Sequence, residues 1–415
     1  MKRFIGLVAL LFCIIGMTAG TAMATIEIND QISIKGQMRF RFWDKSNQDY
    51  NDSETHQQQY WDQRYRLWFD VKPQKGMSAH LRFDLDDAMW GADSYGSSRW
   101  NASGEGHDDT IEVGRAYLVL EQPQFKVVGG LNYWELGNRL TYENTGTGFT
   151  IETTTLPARV RFGYVLEDEL GSKDDTEGDQ SNFFLEVDSA KLVKGHLFKA
   201  FFAKANDEDK NFQAQVFGIS AKGKLFDKKL SYKAELDIID GDEDAGDEIF
   251  GQQFWLNVAY NVNKKLTVGG NFLYAKGADE AGEDQYDSIM DARSDNWDIQ
   301  TYGPYTTMYA PLGMADVLDP EGQNTGAIAG SLFGKYRLFE KLEVYASYLY
   351  VEAESNALAS QTFQDAMVAS VAARYYFSKK TQFAVMYGHS TMDVEGSTVH
   401  DDAEKTMSAF LRISF

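Results

Sequence analysis

The chain has 415 residues, with 62 acidic against 40 basic side chains and a formal net charge of −22. Such a balance argues against a nucleic-acid binder, whose affinity comes largely from neutralising phosphates. Mean hydropathy is −0.41 and no stretch beyond the leader could form a transmembrane helix, yet 14% of the residues are aromatic and only six are proline.

At the start, Lys2 and Arg3 precede an apolar run over residues 4–17, and Ala22-Met23-Ala24 supplies a small-residue cleavage pattern. These are the three parts of a secretory signal peptide, so residues 1–24 are expected to be removed and the mature chain to begin near Thr25. The apolar run is shorter than the ~20 residues a spanning helix needs. The single cysteine, Cys13, falls inside it, with Phe12 where lipoprotein processing wants a small residue. The mature chain, 25–415, is therefore expected to have no disulfide and no thiolate chemistry.

Beyond the leader the hydrophobic period is two. Residues 32–42 set Ile32, Ile34, Gly36, Met38, Phe40 and Phe42 against Ser33, Lys35, Gln37, Arg39 and Arg41. Residues 230–238 and 253–260 alternate in the same way, the second with Phe254, Leu256, Val258 and Tyr260 on one side. This is the signature of strands rather than helices. Ten strand residues rise about 33 Å and, tilted by about 40°, cover roughly the 25 Å apolar band of a transmembrane β-barrel.

The connections alternate in length. Tight ones fall at "KPQKG" (72–76), "EQPQ" (121–124), "TLPA" (155–158), "NVNKK" (261–265), "FEK" (339–341) and "SKK" (378–380). Long, mostly acidic ones fall at 43–60, 89–109, 168–181, 240–249, 277–325, 353–364 and 392–402. Short turns on one rim and long loops on the other are the periplasmic and external ends of an outer-membrane barrel. Every proline lies in one of these connections, which suits a closed sheet with no edge strand. The fold class expected is all-β, an antiparallel barrel of 18 strands with 16 as the alternative. Seventeen strand starts are evident, and even parity places the eighteenth at "GFTIET" (148–153) within the ambiguous stretch 143–157.

The chain ends "TMSAFLRISF", with Met407, Ala409, Leu411, Ile413 and Phe415 on one face. A last amphipathic strand closed by an aromatic resembles the insertion signal of bacterial outer-membrane barrels, with Phe415 as its key residue. Aromatics near expected strand ends, among them Trp43, Tyr133, Trp134, Tyr375, Phe377 and Phe383, fit the interfacial girdles of such a barrel.

The mature chain as a whole looks like a bacterial porin. "VGRAYLVLEQPQFKVVGGLN" (113–132), followed by "GTGFTIETTTLPARVRFGY", is similar to the homotrimeric porins of sulfate-reducing bacteria. That resemblance implies a trimer of water-filled barrels in the outer membrane, in contact with lipid and lipopolysaccharide and delivered by periplasmic chaperones and the barrel-assembly machinery. Each barrel would pass ions and small hydrophilic solutes past a third loop folded inward, here residues 135–147. The PEFGGD motif of enteric porins is missing from that loop, and Glu135 and Glu143 stand in for its acidic side.

Charged side chains cost about 2–4 kcal/mol each on the lipid face near the midplane, so those on strands should point into the lumen. Lys35, Arg39, Arg41, Arg64, Arg66 and Arg82, with Asp70, Asp84 and Asp86, share that side of the first strands, and Arg159 and Arg161 follow. A ring of fixed charge sets ion selectivity; the alternative role is to pair with one another as lumen scaffolding. In "DGDEDAGDE" (240–248), Asp240, Asp242 and Asp244 alternate as calcium ligands do, but without EF-hand spacing. A solvated face or loosely bridging Ca2+ at lipopolysaccharide fits that loop better, so no firm metal or cofactor is expected.

No HExxH, GxSxG or P-loop motif occurs, and "GTGF" is only the start of a GxGxxG pattern. The six histidines are scattered, and an outer-membrane protease or lipase would need one of them to converge with Asp or Ser on one rim. The expectation is a channel and not an enzyme. Its rivals are a substrate-specific oligosaccharide or anion channel, in which the arginines form a binding track, and an adhesion or structural barrel built on the 277–325 loop. A transporter with a plug and 22 strands does not fit in about 391 mature residues.

Overall fold

The computed structural model describes residues 26–29, 31–46, 57–89, 111–140, 142–169, 179–189, 192–207, 212–243, 247–276, 327–354, 362–395 and 403–415. The leader, Cys13 and the greater part of the expected loops 43–60, 89–109, 168–181, 277–325, 353–364 and 392–402 lie outside them. Nineteen strands occur among the described residues. The first ten are β1 (Ile26–Asn29), β2 (Ile32–Ser46), β3 (Gln57–Gln74), β4 (Met77–Met89), β5 (Ile111–Glu121), β6 (Phe125–Glu135), β7 (Glu143–Thr153), β8 (Arg159–Glu169), β9 (Asp179–Asp188) and β10 (His196–Asp207). The others are β11 (Phe212–Leu225), β12 (Leu230–Glu243), β13 (Asp247–Asn261), β14 (Leu266–Ala275), β15 (Ala327–Phe339), β16 (Leu342–Glu352), β17 (Thr362–Tyr376), β18 (Thr381–Glu395) and β19 (Glu404–Ser414).

From β2 onward each strand pairs antiparallel with the next, and β19 returns to β2 through Ser414↔Gln37 to Lys405↔Ser46. The result is a closed barrel of eighteen strands, which leaves no unpaired sheet edge. The deciding segment is β7, which matches β6 from Phe125↔Thr153 to Glu135↔Glu143. It begins before the expected "GFTIET", so the second half of the expected 135–147 loop is strand. Strands also run further than expected into residues 43–46, 57–60, 240–243 and 392–395. Backbone pairing continues past the apolar band, where side-chain polarity no longer marks the ladder.

The short β1 pairs with β2 through Ile26↔Ile34 and Glu27↔Ser33, beyond the point where β19 ends. There the Gly36 amide donates to the Phe415 carbonyl at 3.0 Å and the Phe415 amide donates back at 2.8 Å. The Phe415 ring lies over Gly36 and occupies the space a Cβ would need. The terminal aromatic thus closes the seam of the barrel.

Alternation separates the two faces. On β9, Asn182, Phe184, Glu186 and Asp188 are buried, whereas Phe183, Leu185 and Val187 are exposed. Exposed apolar residues recur around the barrel, as Leu81, Leu118, Ile151, Ile219, Leu332 and Val371, forming its outer band. The inner face is not uniform. On β2–β5 it carries Lys35, Arg39, Arg41, Arg64, Arg66, Arg82 and Arg115 with Asp62, Asp70, Asp84 and Glu112. On β14–β18 it carries Leu273, Ala275, Ala327, Ala329, Leu349, Val351, Ala366 and Val368, all buried in one apolar cluster. A second apolar cluster, with Val165, Phe184, Phe201, Val216 and Ile239, lines β8–β12.

Candidate channel interior and its inward segment

Register explains the basic wall. Paired residues on neighbouring strands share a face, and Arg39↔Arg64, Gln37↔Arg66, Arg66↔Asp84 and Arg82↔Arg115 therefore bring the guanidinium groups of four strands together. Arg66 donates through Nε to Asp84 Oδ2 at 3.0 Å, and Arg82 Nε pairs with Asp84 Oδ1 at 3.0 Å. Arg115 stacks over Tyr133 with its guanidinium carbon 5.1 Å from the ring centroid, and Arg139 approaches the same ring at 5.6 Å. Neither Arg115 nor Arg139 is among the residues picked from the sequence. Arg115 alternates with Tyr117 in "GRAYL" and was legible from period two. Arg139 sits in a connection, where no period applies.

Arg41 behaves differently from Arg66. Its side chain is 3% exposed, its Nε donates to Asp62 Oδ1 at 2.6 Å, and Trp43 Nε1 donates to Asp62 Oδ2 at 2.8 Å. Arg39 is buried as well. Both are part of the wall, whereas Lys35, with 51% of its side chain exposed, reaches Asp70 at 2.7 Å from the lumen surface. Trp43 and Trp134, expected in the interfacial girdles, are instead buried on the inner side. Trp43 is held by Asp62, and the Trp134 indole donates to the Gly146 carbonyl at 2.8 Å. Burial of an indole is favourable where its N–H finds an acceptor, and a carboxylate provides one for Trp43.

Arg159 and Arg161 are committed to carboxylates. Arg159 Nε donates to Asp188 Oδ2 at 2.6 Å, with Glu152 at 3.5 Å. Arg161 Nη2 reaches Glu186 Oε1 at 3.1 Å and the Glu135 carbonyl at 2.6 Å. Glu135 itself pairs with Arg139 at 2.5 Å. Asp240 is exposed near the end of β12. The side chains of Asp86, Glu143, Asp242 and Asp244 lie outside the described residues, and among the described residues no group of three His, Cys, Asp or Glu is arranged to hold a metal.

The connection between β6 and β7 does turn inward, over residues 136–140. Leu136 joins the apolar cluster of Phe184 and Phe201, and Leu140 joins that of Trp255 and Leu273. Between them the chain docks on β11 and β12. The Leu140 amide donates to Glu235 Oε1 at 3.1 Å, the Asn138 amide donates to Glu235 Oε2, and the Gly137 amide donates to Glu186 Oε2 at 3.1 Å. Asn138 Nδ2 donates to the Ala234 and Ala221 carbonyls at 2.8 and 3.2 Å. Gly137 has φ +55°, and a Cβ there would lie 2.5 Å from both Glu235 carboxylate oxygens. Arg139, at φ 78°, also adopts the left-handed region, at a cost of roughly 1–2 kcal/mol that the docking contacts offset. The two oxygens of one carboxyl group thus satisfy two backbone amides that would otherwise be buried without acceptors. Glu235 was not singled out in the sequence, because its partners are backbone amides of a distant segment.

The architecture has counterparts among solved structures. Acinetobacter baumannii OccAB2 superposes on 93% of this chain and 98% of its own, with 10% identity and a TM-score of 0.58. The BenF-like porin of Pseudomonas fluorescens Pf-5 covers 94% of this chain and 100% of its own, at 11% identity and a TM-score of 0.56. Pseudomonas aeruginosa OpdK, solved with vanillate, covers the same shares at 11% identity and a TM-score of 0.55. The chain has the fold of an outer-membrane porin. At these identities the likeness extends to the fold alone. No protein-family model matches the sequence, and no curated protein matches it.

Proposed function

We propose that the chain is an outer-membrane porin, a passive channel for ions and small hydrophilic solutes. The observation that carries this reading is a closed barrel with an apolar outer band and a file of guanidinium groups along one inner wall. Residues 136–140 join the apolar clusters on β8–β12 and β14–β18 and occupy that side of the interior. Water and solute therefore pass along β2–β6, beside Arg66, Arg82, Arg115 and Arg139. In that passage fixed positive charge acts at short range, whereas exposed acidic groups are screened within about 10 Å at 0.1 M salt. The channel should thus prefer anions despite the net charge of −22.

Lys35, Arg64, Arg66, Arg82 and Arg115 shape the potential of the passage. Asp84 tempers it. Arg161, Glu135, Glu186 and Glu235 hold the inward segment that sets its width, and Arg159 braces the wall beside it through Asp188. The signal peptide at 1–24, a homotrimeric assembly like that of the sulfate-reducing bacterial porins, and insertion by the barrel-assembly machinery through Phe415 belong to the same reading. So do contacts with lipopolysaccharide, with Ca2+ at most bridging the acidic external loops.

A second reading is a channel selective for organic anions. The side-by-side placing of Arg115 and Arg139 on Tyr133 favours it, since guanidinium groups bind carboxylates and an aromatic ring offers a stacking surface; OpdK, with a similar fold, was solved with the aromatic acid vanillate. Single-channel recording in planar bilayers tests both. Ohmic steps that do not saturate support the general porin, saturation by one organic anion supports the selective channel, and absence of conductance contradicts both.

A further inference from the structure

Away from the inward segment, at the short-turn rim, β3 and β4 bring together three residues that the channel reading leaves unused. Ser78 and His80 are two apart on β4 and so share a face, and Asp70 on β3 is the direct register partner of His80. His80 Nδ1 lies 2.7 Å from Asp70 Oδ1, and His80 Nε2 lies 2.8 Å from Ser78 Oγ. A carboxylate can only accept, so Nδ1 carries the proton and donates to Asp70. In the neutral ring Nε2 is then the acceptor, and the Ser78 hydroxyl donates to it. We propose that Ser78, His80 and Asp70 form a nucleophilic relay that cleaves small carboxylic esters at this rim.

Three contacts fix the relay. Lys35 Nζ donates to the other Asp70 oxygen at 2.7 Å, which holds the carboxylate in place and ionised. Tyr117 stacks on the imidazole with centroids 4.8 Å apart and planes 20° apart. Asp70, opposite His80, orients the ring and stabilises the cation that forms when the ring takes a proton, the role of the acid in Ser-His-Asp hydrolases. The group remains accessible, with side-chain exposures of 24% for His80 and 16% for Asp70. A cavity of about 430 Å3 opens beside it, with Ser78, Lys72 and Lys75 in its wall. That volume takes a short-chain ester, and Glu121 completes the charged part of its wall.

In the step, Ser78 Oγ attacks the ester carbonyl carbon as His80 Nε2 takes the hydroxyl proton. The tetrahedral intermediate collapses with cleavage of the bond to the alcohol oxygen, and that alcohol leaves with the proton from His80. Water then attacks the acyl-serine, gives its proton to His80, and releases a carboxylic acid and the restored hydroxyl of Ser78. No motif announces this arrangement, because GxSxG and related patterns describe other folds, whereas here nucleophile and base are strand neighbours.

The test uses the full-length folded barrel in detergent, a fluorophosphonate probe and p-nitrophenyl acetate. The proposal expects a single phosphonylated serine, mapped by mass spectrometry to Ser78. It also expects ester hydrolysis that falls by about 100-fold in Ser78→Ala and in His80→Ala, the usual scale of general-base assistance. Ser78→Ala keeps its conductance, so loss of hydrolysis reports the relay and not the channel. Absence of an adduct on Ser78 in a barrel that conducts normally would overturn the proposal, as would hydrolysis unchanged in Ser78→Ala. If His80→Ala does not fold, the wild-type adduct and Ser78→Ala still decide.

Discussion

The inner faces of β2–β5 and β14–β18 are made by the same alternation and differ in their balance of charged and apolar residues. On β2–β5 most of the outward apolar residues alternate with charged or polar groups within, among them Lys35, Arg66, Arg82, Arg115, Asp70 and Asp84. On β14–β18 the inner face is mixed: small apolar residues such as Ala275, Ala327, Ala329 and Ala366 are fully or almost fully buried, beside buried Ser331, Glu343, Ser370, Arg374 and Gln382. A lumen filled with water has no use for buried alanine and valine, whereas a packed interior does. The difference implies that barrel circumference is a poor measure of the passage. Eighteen strands enclose a space of which one wall is rich in charge and the other holds the larger packed apolar cluster.

The largest change in conductance is expected where the two walls are held apart. Glu235→Ala removes the acceptor of the Asn138 and Leu140 amides, so residues 136–140 should lose their hold on β12 and single-channel conductance should rise severalfold. An unchanged conductance would mean that Leu136, Leu140 and the bonds of Gly137 and Asn138 to Glu186, Ala221 and Ala234 hold the segment without Glu235. Gly137→Ala should act in the same direction and more weakly, since a methyl group at that point meets the Glu235 carboxylate.

The next effect concerns stability. Arg41→Ala leaves Asp62 buried without its guanidinium partner, and breaking a buried pair costs about 3–5 kcal/mol. Unfolding in urea should shift to lower denaturant by that amount, with little change in anion preference, because Arg41 is covered by its neighbours. Ala366→Asp on the opposite wall should also destabilise the barrel without altering selectivity, for a charge placed in an apolar cluster has no partner. If it instead made the channel cation-selective, the β14–β18 wall would be wet. The smallest effect is expected on the outer band, where Leu332→Ala should change neither conductance nor selectivity, as measured by the same recordings.

The barrel itself could be read from the chain because period-two alternation is a local property. β2, β6, β10, β12, β14, β16 and β18 begin at the expected residues 32, 125, 196, 230, 266, 342 and 381, and β3 begins at 57 where its alternation predicts a start near 61. Closure required only parity, and Glu143–Thr153 supplied it. The interior was less legible. Lys35, Arg66 and Arg82 announce themselves because a charge on a strand must face inward, but whether it meets solute or a buried carboxylate depends on the neighbouring strand. Arg41 and Arg66 have the same sequence setting, a basic residue between apolar ones, and differ through Asp62 and Trp43. The apolar wall escaped because a segment such as "AMVASVAA" carries no alternation of polarity. Contacts between distant segments, such as Glu235 with residues 137–140 or Asp70 with His80, have no local signature.

The central claim is that permeation follows the arginine wall. It is tested most directly by the zero-current potential of single channels across a KCl gradient, for the wild type and for a variant with Arg66→Gln, Arg82→Gln and Arg115→Gln together. An anion-selective wild type and a triple variant that has lost that preference or prefers cations are the predicted results. A cation-selective wild type, or a triple variant with an unchanged zero-current potential, would contradict the account.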